Sequence, residues 1–157
     1  MPALSSHAVD VYVWRPGPDG APAWLVLRRA AGRRYAGEWR TVGGKIEPGE
    51  AAHAAARREL AEETGFADGV GLVALWALPS VNAFYEPSAD RVVLAPSFVA
   101  EVVGEARLDG EHDAAEWLPA DEAAARLAWP EQARLVALAD RLVRAGTMRP
   151  DWRVPSP

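Results

Sequence analysis

Between Gly44 and Phe66 the chain reads GKIEPGEAAHAAARRELAEETGF, a glycine-bounded loop that runs into a helix carrying three carboxylates. From Glu50 to Thr64 the residues are rich in alanine and leucine and contain neither glycine nor proline, so a helix is expected there, with Gly65 ending it. At about 100° per residue, Glu59, Glu62 and Glu63 project from one arc of roughly 100°. Ala52, Ala56 and Leu60 recur every four residues on a different face, suited to packing on a sheet. Clustered carboxylates repel one another, and a divalent cation is the ordinary reason to gather them. Mg²⁺ or Mn²⁺ is the expected ion, because both prefer carboxylate oxygens. Gly43-Gly44 and Pro48-Gly49 bracket the loop before the helix, and the paired glycines let backbone approach a ligand or metal closely.

The rest of the chain supplies strands for this helix to pack on. His7 to Trp14 alternates Val9, Val11 and Val13 with polar or aromatic residues, the period of a half-buried strand. The segment RPGPDGAP (15–22) is a turn, and 23–29 reads as the returning strand. Arg28 and Arg29 close that strand, and their guanidinium forks match phosphate oxygens. A loop over 30–38 precedes a short strand at 39–42, and 71–78 reads as a buried strand. Pro79 to Asp90, with Asn82, Phe84 and Tyr85, reads as a recognition loop. Arg91 to Gly104 is one long strand or two divided at Pro96, and 115–118 is a further short strand. Helices are expected over 119–127 and 130–145, the second starting at Pro130 and ending at Gly146, with an irregular tail over 147–157. No repeat, linker or second domain is evident, so residues 1–157 are expected to form one domain with its core over about 7–145.

The bulk properties exclude several classes of function. A net charge of −5 disfavours nucleic acid and anionic membranes as partners, while bound cations would still admit a small anionic substrate. The absence of cysteine removes disulfides, thiolate nucleophiles and cysteine-based zinc sites, and fits a reducing, cytoplasmic setting. No basic-then-apolar leader and no membrane-length apolar run is present. Nothing in the sequence fixes an oligomeric state, a homodimer included.

The spacing carries the most specific signal. Gly44, five residues, Glu50, seven residues, Arg58-Glu59-Leu60, one residue, Glu62-Glu63, one residue, Gly65-Phe66 resembles the Nudix box without a mismatch. Seven fixed identities at a background of about 6–7% each multiply to on the order of 10⁻⁹ per window, which a glutamate-rich surface helix does not explain. The resemblance implies an α/β fold, with a mixed β-sheet sandwiched between α-helices. It also implies one to three Mg²⁺ or Mn²⁺ ions held by Glu59, Glu62, Glu63 and the carbonyl of Gly43. Arg58 matches the residue that orients the carboxylates. Glu50 matches the first acid of the box, either near a metal or held by Arg58, and Gly44 and Gly65 match its structural glycines.

The activity implied is hydrolysis of a diphosphate linkage in a phosphorylated small molecule. Further on, Glu111-His112, four residues, Trp117-Leu118 is similar to the segment that follows the box in Nudix enzymes of the nucleoside- or pterin-triphosphate type, and Trp129 matches a tryptophan of the dihydroneopterin triphosphate pyrophosphatases. That similarity implies a metal-ligand or general-base role for Glu111. The leading expectation is therefore a pyrophosphohydrolase of a nucleoside triphosphate or similar triphosphate, a pterin included. Dinucleoside polyphosphates and nucleotide sugars are alternatives, as is a non-catalytic nucleotide sensor. Arg28, Trp39, Asn82, Phe84, Tyr85 and Trp129 are the candidate substrate contacts.

Overall fold

Alternation along the second strand explains why the molecule has a helical layer on each side of its sheet. Val9, Val11 and Val13 point to one face and Tyr12 to the other, all of them buried. The computed structural model describes every residue from Met1 to Pro157. Nine strands form one mixed sheet: β1 (Ala3–Ser5), β2 (Ala8–Pro16), β3 (Pro22–Arg29), β4 (Trp39–Arg40), β5 (Val42–Lys45), β6 (Ala67–Asp68), β7 (Gly71–Glu86), β8 (Arg91–Val102) and β9 (His112–Leu118). The helices are α1 (Ala52–Thr64), α2 (Ala120–Arg126) and α3 (Pro130–Ala145). The path through the sheet is β4-β3-β2-β8-β7-β6, with β1 added to β8, β5 to β2 and β9 to β3. β2 and β8 run parallel, whereas β2–β3, β2–β5, β3–β9 and β7–β8 are antiparallel.

Each face buries its own core. Helix α1 lays Ala55, Ala56 and Leu60 against Val9, Val11, Leu25, Leu27 and Phe98. Across the sheet, Ala123 of α2 and Leu135, Val136 and Ala139 of α3 pack on Tyr12, Trp24, Val26 and Val99. Alanines in α1 let the helix sit close to the strands, which keeps its acidic arc near the sheet edge. On the other face, the Trp24 indole N–H donates to Asp140 Oδ1 at 2.9 Å, locking α3 to β3. Gly65, at φ 78°, ends α1 in the left-handed conformation that favours glycine, and its N–H reaches the carbonyl of Ala61.

Several boundaries differ from the expectation. The segment Pro79 to Asp90 is not a loop: β7 continues through it to Glu86, and only Pro87–Ala89 forms a short 3₁₀ turn. Its two prolines misled because Pro79 falls where the β7–β8 register shifts, between Ala77 and Val81, a place where a ladder N–H is not needed. Pro96 likewise lies inside a single β8. Strands β1 and β6 are short and carry no periodic signal. The tail holds a 3₁₀ turn at Pro150–Trp152 and pairs with β7, where the Val154 N–H donates to the Leu75 carbonyl. No helix is long and apolar enough to cross a membrane.

Leu60 is fully buried at the contact between α1 and the sheet. Leu60→Ala is expected to lower unfolding free energy by about 2–5 kcal/mol, read by urea denaturation. A change under about 1 kcal/mol, the scale of a surface substitution, would mean that α1 is not anchored as described.

Candidate active site

Arg58 is the centre of the acidic cluster. Its guanidinium donates from Nε and Nη2 to the two oxygens of Glu50, both at 2.9 Å, and from Nη1 to Glu59 Oε1 at 2.7 Å. It also reaches Glu62 Oε2 at 3.5 Å and the carbonyl of Lys45 at 2.8 Å. The planar fork suits this task, since one side chain meets several oxygens in fixed directions. Of the two roles open for Glu50, the geometry selects the one held by Arg58. The Arg58 hydrogen bonds, aided by the Glu47 N–H, hold the Glu50 carboxyl down at about 2. Glu50 thereby clips the loop 45–50 to the helix.

Glu63 has no such cation. It is buried, and it accepts only the Gly43 N–H at 3.3 Å. Burial first, then the charges of Glu59, Asp109 and Glu111, push its carboxyl up to about 9. Burial also raises Glu59, against the pull of Arg58. Glu59, Glu62 and Glu63 all line one cleft of about 960 Å³, as the helical arc predicts. They are not a ready-made cage, because no three acidic or histidine side chains converge at ligand distance. The donor set nevertheless fits a hard divalent cation. A buried carboxyl faces other carboxylates with no cation of its own, and Gly44 leaves the approach open. A Cβ at Gly44 would overlap the Glu59 carboxylate, and one at Gly43 would lie 2.6 Å from the Val9 carbonyl.

The structure sorts the other candidates by strand alternation. Arg28 and Arg29 are neighbours on β3 and point to opposite faces. Arg29 lines the cleft and donates to Glu111 Oε2 at 3.1 Å. Arg28 does not line it; its Nε pairs with Asp113 at 2.7 Å and its guanidinium lies over Trp39. Trp39 packs with the α3 layer and also lies outside the cleft wall. Asn82, Phe84, Tyr85 and Trp129 all line the cleft, with Phe84 and Trp129 rings 5.4 Å apart. Glu111 faces the acidic cluster from the loop before β9, and His112 beside it is buried and bonded to Asp109 at 3.0 Å.

Sequence reasoning missed three polar residues of this cleft. Asp10, Gln132 and Thr41 are buried: Asn82 Nδ2 donates to Asp10 Oδ2 at 2.8 Å and Gln132 Nε2 to Oδ1 at 3.2 Å. The Gln132 Oε1 accepts the Thr41 N–H at 3.3 Å. A lone acid at an inward position of a valine-rich strand was the available signal for Asp10. Tyr35 and Arg40 join the aromatic wall, with Arg40 4.1 Å from the Tyr35 ring and 5.1 Å from that of Trp129.

A family model described as the NUDIX domain matches residues 6–139. The chain belongs to this family. Over 130 residues it is 32% identical to the MutT4 protein of Mycobacterium tuberculosis, a match that covers 81% of the chain and 50% of that protein. The chain spans half or less of the length of the curated relatives it matches. A NUDIX hydrolase from Listeria monocytogenes shares the fold with a TM-score of 0.75 at 20% identity, over 92% of this chain and 99% of that one. The Escherichia coli dihydroneopterin triphosphate pyrophosphohydrolase does so with a TM-score of 0.69 at 22% identity, over 87% and 95%. These NUDIX neighbours bear out the mixed sheet between helices.

Burial raises the Asp10 carboxyl from 3.8 to about 6, against the opposing pull of Asn82, Gln132 and Arg40. A carboxyl raised on folding stabilises the folded state fully below its unfolded pKa and loses that contribution as pH rises through the folded one. Wild type should therefore lose about 2 kcal/mol relative to Asp10→Asn between pH 4 and pH 7. Urea denaturation of both proteins in chelator measures this. A pH-independent difference would contradict the burial of the Asp10 charge.

Proposed function

We propose that this chain is a divalent-cation-dependent pyrophosphohydrolase that cleaves a diphosphate linkage in a nucleoside triphosphate or a similar triphosphate, and that residues 1–157 act as one NUDIX unit. The observation that carries the reading is the Arg58-organised carboxylate cluster opening on a cleft that also presents Arg29, Arg34 and Arg40. Family membership and the fit of the donor set to Mg²⁺ or Mn²⁺ support it.

In this reading Glu59, Glu62, Glu63 and the Gly43 carbonyl hold one to three Mg²⁺ or Mn²⁺ ions. Bound there, such ions would neutralise diphosphate oxygens and lower the pKa of the attacking water. The chain's own residues do the remaining work. Arg58 fixes the Glu59 and Glu62 oxygens, while Arg29, beside Glu111, offers charge to the phosphates and Arg34 and Arg40 stack on the aromatic end. A water oxygen bonds to phosphorus, the bridging P–O bond breaks, and a carboxylate takes the water proton. Two carboxylates are placed for that proton. Glu62 is the exposed acid of the helical arc and has only the 3.5 Å contact to Arg58. Glu111 is held by Arg29 at 3.1 Å, with Arg33 3.9 Å away. The aromatic residues Phe84, Tyr85 and Trp129 flank the other end of the cleft, where a planar leaving or retained group would lie.

The test is a panel of nucleoside triphosphates, dinucleoside polyphosphates, nucleotide sugars and dihydroneopterin triphosphate, incubated with Mg²⁺ or Mn²⁺, with products resolved by chromatography. Turnover of a triphosphate supports the reading. Retained binding without turnover of any diphosphate would make the protein a nucleotide sensor. Glu62→Gln and Glu63→Gln should lower kcat by roughly 10²–10⁴-fold with folding intact. Near-normal activity in both would overturn the site. Glu111→Gln should cost about 10²-fold if Glu111 is the base, and wild-type kinetics would assign the proton to Glu62.

A further inference from the structure

The cleft has a second polar centre besides the acid cluster, and the hydrolytic chemistry makes no use of it. Asp10, Asn82 and Gln132 meet at its floor and are each more than nine-tenths buried. They come from three elements: Asp10 from β2, Asn82 from β7 and Gln132 from the first turn of α3. Asn82 shares its face of β7 with Phe84, and Gln132 follows Trp129, the residue that caps α3. β7 and the start of α3 thus each contribute to both the floor and the aromatic wall. Asp10 also pairs across the sheet with Gly43, which places the floor one strand from the Glu63 contact.

Buried polar groups are normally satisfied, and here two are not: Asn82 Oδ1 and the Tyr12 hydroxyl, which neighbours Asp10 on the same face of β2, are buried with no partner. The Asp10 carboxylate has about four acceptor directions, and the two amides use one on each oxygen. Their orientation is fixed, because Asp10 requires an N–H from both and Gln132 Oε1 is committed to Thr41. The floor therefore offers adjacent acceptors, with spare amide N–H groups beside them. Next to it stands a wall of Phe84, Trp129 and Tyr35, with Arg40 against the rings.

The geometry points to Asp10, held by Asn82 and Gln132, as the specificity-determining group for a flat heterocycle that presents two adjacent N–H donors. The edge in question is the ring N–H and exocyclic amino group of a 2-amino-4-oxopyrimidine, as found in guanine and in pterins. A carboxylate meets that edge with two parallel hydrogen bonds, and the spare amide N–H groups are left for the ring carbonyl. Adenine and cytosine present one donor beside one acceptor, which would set a ring nitrogen lone pair against the carboxylate. Uracil presents a single donor between two carbonyls. The inference rests on the triphosphate reading above for the position of the phosphates, but its test does not require turnover.

Binding of the α,β-methylene analogues of GTP, ITP and ATP would be measured by calorimetry with Mg²⁺. Guanine should bind about tenfold or more tightly than adenine, with hypoxanthine behind guanine because it lacks the amino group. Asp10→Asn, of nearly the same size, should weaken the guanine analogue about tenfold or more and the adenine analogue by less than about threefold. Equal affinity of the wild type for the three analogues, or an equal loss for all three in a folded Asp10→Asn, would overturn the assignment. If that variant fails to fold, the wild-type ranking still decides. Competition with guanosine and with neopterin separates the two ring systems. Displacement by either supports the donor-edge rule, and displacement by adenosine alone refutes it. A guanine preference without hydrolysis would remove only the pyrophosphohydrolase reading, whereas hydrolysis with a flat base profile would remove only this one.

Discussion

One guanidinium keeps the acidic face of the box helix in order. Arg58 bridges Glu50 on the incoming loop, Glu59 one residue on, Glu62 one turn on and the Lys45 carbonyl on the strand side. Each of these contacts involves a charged group, the kind of hydrogen bond that is shorter and stronger than a neutral one. Without it, Glu59 and Glu62 would repel one another and the loop over 45–50 would lose its tie to the helix. Glu63 lies beyond its reach, and burial, with the charges of Glu59, Asp109 and Glu111, keeps its pKa high. The arrangement leaves one deficit of positive charge, at the place that our proposal gives to a cation.

The second constraint is the alternation of the sheet. It divides Arg28 from Arg29, turning one toward Asp113 and the other toward Glu111 in the cleft. The same alternation puts Val9 and Val11 under α1 and turns Asp10 between them toward α3 and Gln132. Two helices on opposite faces thus contribute to one cleft: α1 brings the carboxylates that hold metal in our proposal, and the start of α3 brings Trp129 and Gln132. Chemistry and recognition are separated by about one strand, a short enough distance for one small phosphorylated molecule to span both.

Much of this was legible before the structure. The helix over Glu50–Thr64, its acidic arc and its alanine face follow from composition and period, and the box spacing pointed to the family. Helix α3 was equally plain, since Leu135, Leu138, Ala139 and Leu142 repeat on one face between Pro130 and Gly146. What failed was long-range. Pro79 and Pro87 read as loop signals, yet β7 runs past Pro79 because a register shift excuses its missing N–H. Arg28 and Trp39 looked suitable by residue type, but strand phase decides which way they face, and a one-residue difference reverses it. Asp10, Asn82 and Gln132 are 72 and 122 residues apart along the chain in their hydrogen bonds, so no local pattern could join them.

The position of a bound divalent ion decides whether the acidic arc is a metal site. A crystal structure with Mn²⁺, using anomalous scattering to locate the metal, measures this without reference to any substrate. A peak is expected within ligand distance of Glu59, Glu63 and the Gly43 carbonyl, with Arg58 still bound to Glu50. A protein that takes up Mn²⁺ only elsewhere, or that leaves Glu63 bonded to the Gly43 N–H with no metal beside it at saturating Mn²⁺, would contradict it.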